Sequence, residues 1–133
     1  MDRLKKMFDT HPAPASGAGD TALAGVTAAV ECSLVCTTCA DACLSEGADM
    51  AECVRLNLDC AEICGAVARM LARPGHQDRE TLDRLLAACI RACRACAEEC
   101  ERHAESMEHC RICAESCRRC AEACEEMEGA LVA

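Results

Sequence analysis

Apolar positions recur every three or four residues along most of the chain, and cysteine occupies many of them. The segment 89–100 reads CIRACRACAEEC, in which Cys89, Cys93, Cys96 and Cys100 are spaced by four, three and four. This spacing places the four thiols on one stripe of an α-helix, and the Arg, Ala and Glu residues between them suit its solvated face. The segment is therefore predicted to be a bundle helix whose core-facing stripe consists of sulfur.

The same pattern recurs in three other segments. Residues 32–43 repeat it at a constant offset of 57, and residues 110–124 continue it with spacings of three and four. A thinner stripe in residues 53–64 matches the cysteines of 113–124 when it is shifted by 60. The chain is therefore interpreted as a duplicated helical hairpin with three extra residues near the turn of the second hairpin.

The shift by 60 also identifies where the thinner stripe departs from the pattern. In this register Asn57 stands where Cys117 stands in the second hairpin, and Met50 stands where Cys110 stands. The second helix is thus expected to carry an interruption in its sulfur stripe at Asn57.

Turn and capping residues delimit four long helices, predicted at roughly 21–45, 50–72, 79–105 and 107–128. The residues predicted to cap the helix starts are Asp20, Asp49 with Glu52 in a capping box, Asp78 and Ser106. The predicted helix ends are Gly47, the Arg73-Pro74-Gly75 segment and Gly129, which is placed beyond the last helix.

Short loops between long helices predict an all-α, antiparallel, up-down-up-down four-helix bundle with a cysteine-lined core over residues 21–133. Residues 1–20 are predicted to be a separate N-terminal segment. Its first nine residues can form a short amphipathic helix with Leu4, Met7 and Phe8 on one side, and residues 11–19 form a linker.

This topology gives the bundle two ends. The mouth is the end with the first and third interhelical turns, and the floor is the end with the second turn and both termini. The stripes continue toward the floor with apolar residues, namely Val67, Leu71, Leu82, Leu86, Met127 and Leu131. Toward the mouth they continue with Met50, His103 and Met107, and His109 lies one position off the stripe. The floor is predicted to be closed by packing and the mouth to carry candidate metal ligands.

The charge and the hydropathy of the chain exclude several classes of function. The formal charge of −9 and the absence of a basic patch argue against nucleic acid. No stretch approaches about 20 apolar residues, and the first residues lack the apolar run of a signal peptide. A protein of the reducing cytoplasm, without a membrane partner, is expected, and there abundant cysteine indicates metal or redox chemistry.

Sixteen cysteines in register exceed what packing requires. A buried thiol can serve as a small hydrophobe, but leucine would bury more apolar area at every position. Thiolate-rich sites suit Cu(I), zinc and iron–sulfur clusters, and continuous helices form a poor cradle for iron–sulfur clusters. Four Zn(Cys)4 units would leave about eight uncompensated charges in a dry core, whereas one Cu(I) per thiolate leaves it neutral. The pattern therefore favours a core that fills with Cu(I).

The repeated C-x3-C and C-x2-C motifs over residues 21–128 resemble those of the bacterial copper storage proteins, and in particular their cytosolic branch. The resemblance implies storage of many Cu(I) ions by the core cysteines. Charge neutrality of the core sets the expected number at about one ion per cysteine or slightly more. The resemblance also implies access through His or Met ligands at one end and a homotetramer, with a copper chaperone as a candidate partner.

By motif, every cysteine carries over as a copper ligand: Cys32, Cys36, Cys39, Cys43, Cys53, Cys60, Cys64, Cys89, Cys93, Cys96, Cys100, Cys110, Cys113, Cys117, Cys120 and Cys124. His103 and Met50 are candidate ligands at the mouth. Met107, which is in register, and His109 are further candidates there, whereas His11 and His76 fall in predicted loops.

Two other functions stay open at the level of sequence. One is sequestration of zinc or heavy metals in general, and the other is a thiol/disulfide redox buffer. No nucleophile–base pair or phosphate-binding loop is visible, so the protein is expected not to be an enzyme. The apolar residues near or off the stripe that could form an oligomer interface are Leu34, Leu44, Val54 and Leu58.

Overall fold

The structure is a computed structural model, and it describes residues 1–13, 19–75 and 77–132. His76 and most of the predicted linker lie outside the described residues. Within them the chain forms the helices α1 (Asp2–Asp9), α2 (Gly19–Leu44), α3 (Ala51–Leu71), α4 (Arg79–Glu101) and α5 (Glu108–Val132), and no strand. The predicted all-α fold is confirmed.

The four long helices pack as a square bundle. Helix α2 packs against α3 and α5, and α4 packs against the same two helices. Only a few residues separate Leu44 from Ala51, Leu71 from Arg79 and Glu101 from Glu108, so neighbouring helices run antiparallel in the predicted up-down-up-down order. The short helix α1 packs against α2.

Two predicted helix boundaries are wrong. Helix α4 ends at Glu101 because residues 102–106 form turns, in which the His103 amide donates to the Cys100 carbonyl at 3.0 Å. Helix α5 continues through Gly129 to Val132 instead of ending before that glycine. A glycine within a helix costs only about 1 kcal/mol, and Leu131 beyond it packs against the core.

The predicted caps have different outcomes. Asp78 is the N-cap of α4, and its side chain accepts from the Thr81 amide at 3.0 Å, as predicted. The capping box at Asp49 and Glu52 is wrong, because Met50 is the N-cap of α3 and has no side-chain cap bond. Asp49 instead accepts from the Ala51 amide at 3.0 Å.

Two further predicted caps lie elsewhere. Asp20 is already inside α2, which begins at Gly19. The Ser106 hydroxyl donates to the His103 carbonyl at 3.4 Å, and α5 begins two residues later, at Glu108. Helix α5 therefore starts from the Met107 carbonyl, which accepts from the Cys110 and Arg111 amides.

The floor is closed as the sequence predicts. Its apolar residues are buried at 3% exposure or less: Val67, Leu71, Leu82, Leu86 and Met127. Leu4 and Phe8 of α1 pack against this core, but Met7, predicted on the same side, is 67% exposed. Helix α1 is amphipathic, and Met7 lies on its solvent side.

Helix α2 is more apolar than the sequence analysis expected, which found no stretch of about 20 apolar residues. It is long and apolar enough to cross a membrane by length and composition alone, with 39% of its most apolar window buried. Its Ala, Val, Thr and Cys residues leave only Asp20, Glu31 and Asp41 as charged residues. One face of α2 carries the buried cysteine stripe, so α2 is a core helix of the bundle. Core helices can also meet this criterion of length and composition.

The extra residues of the second hairpin lie in α5. The turns of the two hairpins have the same length, six residues at 45–50 and at 102–107. In the register of the repeat, α5 therefore begins one turn earlier than α3. This added first turn brings Glu108, His109 and Cys110 to the mouth.

Candidate metal-binding core

All sixteen cysteines lie inside the bundle, each at 2% exposure or less. Every one is a free thiol. Helical spacing explains this placement, because residues three and four apart lie on one face of a helix. The cysteine faces of the four long helices, α2, α3, α4 and α5, meet along the axis of the bundle. We call this axial array of sulfur atoms the thiol column.

The sulfur atoms of the thiol column are in van der Waals contact. Within one helix, Cys32 and Cys36 have their Sγ atoms 3.8 Å apart. Between helices, Sγ of Cys36 lies 3.6 Å from that of Cys117, and Sγ of Cys64 lies 3.7 Å from that of Cys120. Two thiolates at this separation can hold one ion at a metal–sulfur distance of about 2.3 Å.

The thiols form overlapping groups of four whose sulfur atoms all lie within 4.8 Å of one another. Five of these groups are Cys64/Cys89/Cys93/Cys120, Cys32/Cys60/Cys64/Cys93, Cys32/Cys36/Cys60/Cys117, Cys36/Cys96/Cys113/Cys117 and, at the mouth, Cys39/Cys43/Cys53/Cys110. The four inner groups share members, so an ion bound in one of them is next to the following site, and thiolates can bridge ions along the axis. The mouth group shares no member with these four.

Asn57 lies between the mouth group and the inner groups. Its side chain is fully buried. Its Oδ1 accepts from the thiols of Cys96 at 3.2 Å and Cys113 at 3.0 Å. Its Nδ2 donates to the Cys53 carbonyl at 2.8 Å and lies 3.8 Å from Sγ of Cys100. The interruption predicted from the repeat is thus a hydrogen-bonded amide that spans the width of the core.

Met50 belongs to the mouth as the sequence predicts. It is buried at 5% exposure and joins the same core as the cysteines. Cys43 and Met50 line a depression at the turn between α2 and α3, together with Glu46 and Asp49. Met107, at the other turn of the mouth, is partly buried and packs against the core.

His109 is the mouth histidine whose ring meets the thiols. Its Nδ1 lies 3.4 Å from Sγ of Cys39 and 3.6 Å from Sγ of Cys110. Its Nε2 lies 2.9 Å from Oε1 of Glu46. Hydrogen bonding to Cys39 raises the pKa of His109 against the opposing effect of desolvation, and Glu46 raises it further.

His103 has different surroundings from those expected of a residue in register with the stripe. Its Nε2 lies 3.0 Å from Oε2 of Glu99, one turn earlier on the same helix. Arg102 also reaches Glu99, at 3.8 Å. The sequence favoured His103 over His109 as a mouth ligand because His103 is in register with the cysteine stripe. Helix α4 ends at Glu101, however, so the stripe does not extend to residue 103.

Burial keeps the thiols of Cys43, Cys53 and Cys110 at the mouth protonated in the metal-free protein. Desolvation raises the pKa of Cys43 to about 11, with the neighbouring Cys39 adding to the effect. Desolvation also raises the pKa of Cys53 and of Cys110. A thiolate at these positions therefore requires a cation beside it.

Sequence reasoning did not identify Glu46 and Glu99 as partners of the mouth histidines. Glu99 lies four residues before His103, so the helical period could have indicated that pair. Glu46 lies 63 residues from His109, and only the packing of the α2–α3 turn against α5 brings the two together.

Comparison with known proteins agrees with this geometry. The family model described as copper storage protein matches residues 20–129. The copper storage protein Ccsp from Streptomyces lividans, in a structure loaded with 10 copper equivalents, is 41% identical, with a TM-score of 0.89 over 93% of this chain and 96% of that chain.

Two further structures of the Streptomyces lividans protein are similar. One concerns copper loading to a cytosolic copper storage protein with five coppers; it is 44% identical, with a TM-score of 0.79 over 81% of this chain and 92% of that chain. The other is a Ccsp variant in which one histidine is replaced by alanine; it is 43% identical, with a TM-score of 0.81 over 84% and 95% of the two chains. The comparison with curated proteins gave no match.

Proposed function

The chain belongs to the copper storage protein family, and we propose that it stores Cu(I) in the cytoplasm on the thiolates of its own buried cysteines. The observation that carries the proposal is the thiol column, in which sixteen free, buried thiols line one axis and at least fourteen of them belong to groups of four close sulfur atoms. The copper-loaded relative, also described as cytosolic, supports the same reading. The role is storage for copper buffering and detoxification, without catalysis.

Charge favours Cu(I) over zinc in this core. The thiol column contains sixteen sulfurs, and no buried residue in the described part of the chain is cationic. One monovalent ion per thiolate leaves the interior neutral, whereas zinc tetrathiolates would each leave a double negative charge there. The overlapping groups also favour ions that share bridging thiolates over closed and separate tetrahedral sites.

The proposed ligands are the sixteen cysteines, with mouth ligands beside them. Met50 and His109 are supported by their position against the mouth thiols. Met107 and His103 lie at the same end and would assist passage from solvent. Thioether and imidazole ligands do not require deprotonation by the ion in the way that a thiol does, so they can pass ions inward.

Ions would enter at the mouth. A depression reaches the column there at the α2–α3 turn, where Cys43 and Met50 line it. The floor is closed by fully buried leucines, including Leu82 and Leu86.

The outer face of α2 is the proposed interface of a homotetramer. Leu34 is 64% exposed, and it lines one depression together with Ile112 of α5, which is 46% exposed. Leu34→Glu should lower the oligomeric state measured by light scattering, and Met7→Glu, on exposed α1, should not. An unchanged tetramer in Leu34→Glu, or a wild-type monomer, would exclude this interface.

Anaerobic titration with Cu(I) against a chromophoric chelator tests the storage function. We expect about sixteen Cu(I) per chain, with a few more from mouth ligands. Cys93→Ser or Cys117→Ser should lower the capacity, and Ser116→Ala, beside Cys117, should not. Zinc retained against one equivalent of Cu(I) per thiol would contradict the proposal. So would reversible oxidation of most thiols with the helices intact and little copper bound.

A further inference from the structure

Glu46 and His109 meet at the mouth from distant parts of the chain. Glu46 lies in the turn after α2, where its amide donates to the Cys43 carbonyl at 3.2 Å. His109 lies on the added first turn of α5. The contact of 2.9 Å between Nε2 of His109 and Oε1 of Glu46 therefore joins the first hairpin to the second at the open end of the thiol column.

The two nitrogens of the His109 ring face different chemical groups. Nε2 faces the Glu46 carboxylate, and Nδ1 faces Sγ of Cys39 at 3.4 Å and Sγ of Cys110 at 3.6 Å. A carboxylate can only accept a hydrogen bond, so in the neutral ring the single proton belongs on Nε2. The lone pair of Nδ1 is then directed toward the two thiols.

The pair formed by His109 and Glu46 differs from the other histidine–carboxylate pair at the mouth in its surroundings. The His109 side chain is 28% exposed and that of Glu46 is 34% exposed, so both are partly withdrawn from water. His103 forms the same type of contact with Glu99, but there both residues belong to α4. Among the described residues, the pair at His109 is the one whose second nitrogen meets thiols.

We propose that Glu46 is a positioning residue that holds the proton of His109 on Nε2, so that Nδ1 is presented with Cys39 and Cys110 as a preformed site for the first Cu(I). The inference rests on the proposed storage function. Carboxylates that orient a ligating histidine in this way affect metal affinity by about 10–100-fold in other proteins.

Four proteins test the role: wild type, Glu46→Ala, Glu46→Gln and Asp41→Ala. Glu46→Gln keeps an acceptor without the charge. Asp41→Ala removes a charge from an exposed position five residues earlier, in the last turns of α2. Circular dichroism checks that each variant is folded before it is compared.

The first measurement uses the metal-free protein. Nitrogen-15 NMR of the histidine rings, at a pH where His109 is neutral, reports which nitrogen carries the proton. Wild type, Glu46→Gln and Asp41→Ala should show the proton on Nε2 of His109, and Glu46→Ala should show a mixture of the two tautomers. This result does not depend on copper, so it separates failure of the positioning role from failure of the storage function.

The second measurement is the affinity for the first equivalent of Cu(I), by anaerobic competition with a chelator. Glu46→Ala should weaken it by about 10-fold or more, Glu46→Gln should restore most of it, and total capacity should stay the same. An unchanged tautomer in Glu46→Ala would overturn the proposal. So would a loss of affinity equal to that of Asp41→Ala, since the effect would then be one of charge.

Discussion

At the scale of the residue, the choice of cysteine over leucine gives up apolar burial for a group that changes its protonation when a metal arrives. Cys43, Cys53 and Cys110 at the mouth are of this kind, because desolvation raises the pKa of each thiol. At these three positions the metal-free mouth is therefore neutral, and its thiols become anionic ligands only as Cu(I) enters.

Copper binding should therefore release protons. Cys43, with a pKa of about 11, is protonated at neutral pH, and each Cu(I) that binds such a thiol displaces about one proton. Anaerobic titration in an unbuffered solution with a pH-stat should record about one proton per Cu(I). Since the raised pKa means that protons compete with the ion, affinity should fall as the pH falls. Binding without proton release would mean that the thiolates exist before copper arrives.

Asn57 should stabilise the metal-free bundle. Asn57→Ala removes a buried amide that donates to the Cys53 carbonyl and accepts from two thiols, and it leaves a void in the core. We expect the free energy of unfolding to fall by about 1–3 kcal/mol in chemical denaturation. Ser33→Ala, which removes one partly buried bond to the Ala61 carbonyl, should cost less. Equal losses would mean that the bonds of Asn57 contribute little.

Side-chain roles were predictable from the sequence where they follow from helical period. The burial of the cysteines and the interruption at Asn57 both follow from register along single helices. The contact between Glu46 and His109 was not predictable in this way, because it depends on the path of a turn and on its packing against a helix 63 residues away.

At the scale of the element, the sequence predicted the number and order of the helices because each buries one periodic stripe. The boundaries were less predictable. The packing of Leu131 extends α5 past Gly129, and the turns after Glu101 shorten α4, and both depend on tertiary contacts that local composition does not contain.

Two glycines within helices provide a matched test of helix packing. A Cβ added at buried Gly25 would lie 2.9 Å from Cδ1 of Leu71, a residue held at the floor, whereas one added at Gly65 would lie 3.6 Å from Oγ of Ser33. Gly65→Ala should raise the free energy of unfolding by up to about 1 kcal/mol through helix propensity. Gly25→Ala should lower it, because overpacking costs about 1–3 kcal/mol. Similar gains in both variants would show that α2 and α3 can move apart at no cost.

At the scale of the whole molecule, the closed floor and the apolar faces of the four long helices predict that the bundle folds without copper. Circular dichroism of the metal-free protein should show a helical spectrum, and the melting temperature should rise with each addition of Cu(I). When the free Cu(I) concentration is one hundred times the dissociation constant of a site, binding at that site stabilises the native state by about 2.7 kcal/mol. A random-coil spectrum without metal would contradict this prediction.

The floor closed by Val67, Leu71, Leu82 and Leu86 has a consequence for the order in which stored ions are exchanged. The first ion binds at the mouth and moves inward as further ions follow it. A column with one open end then keeps its earliest ions deepest, so the last ions to arrive should be the first to leave. If the protein is half filled with one stable copper isotope and completed with another, a limiting amount of chelator should withdraw mainly the second isotope, as mass spectrometry would record. The distance of a stored ion from the mouth would then increase with the time since it was bound.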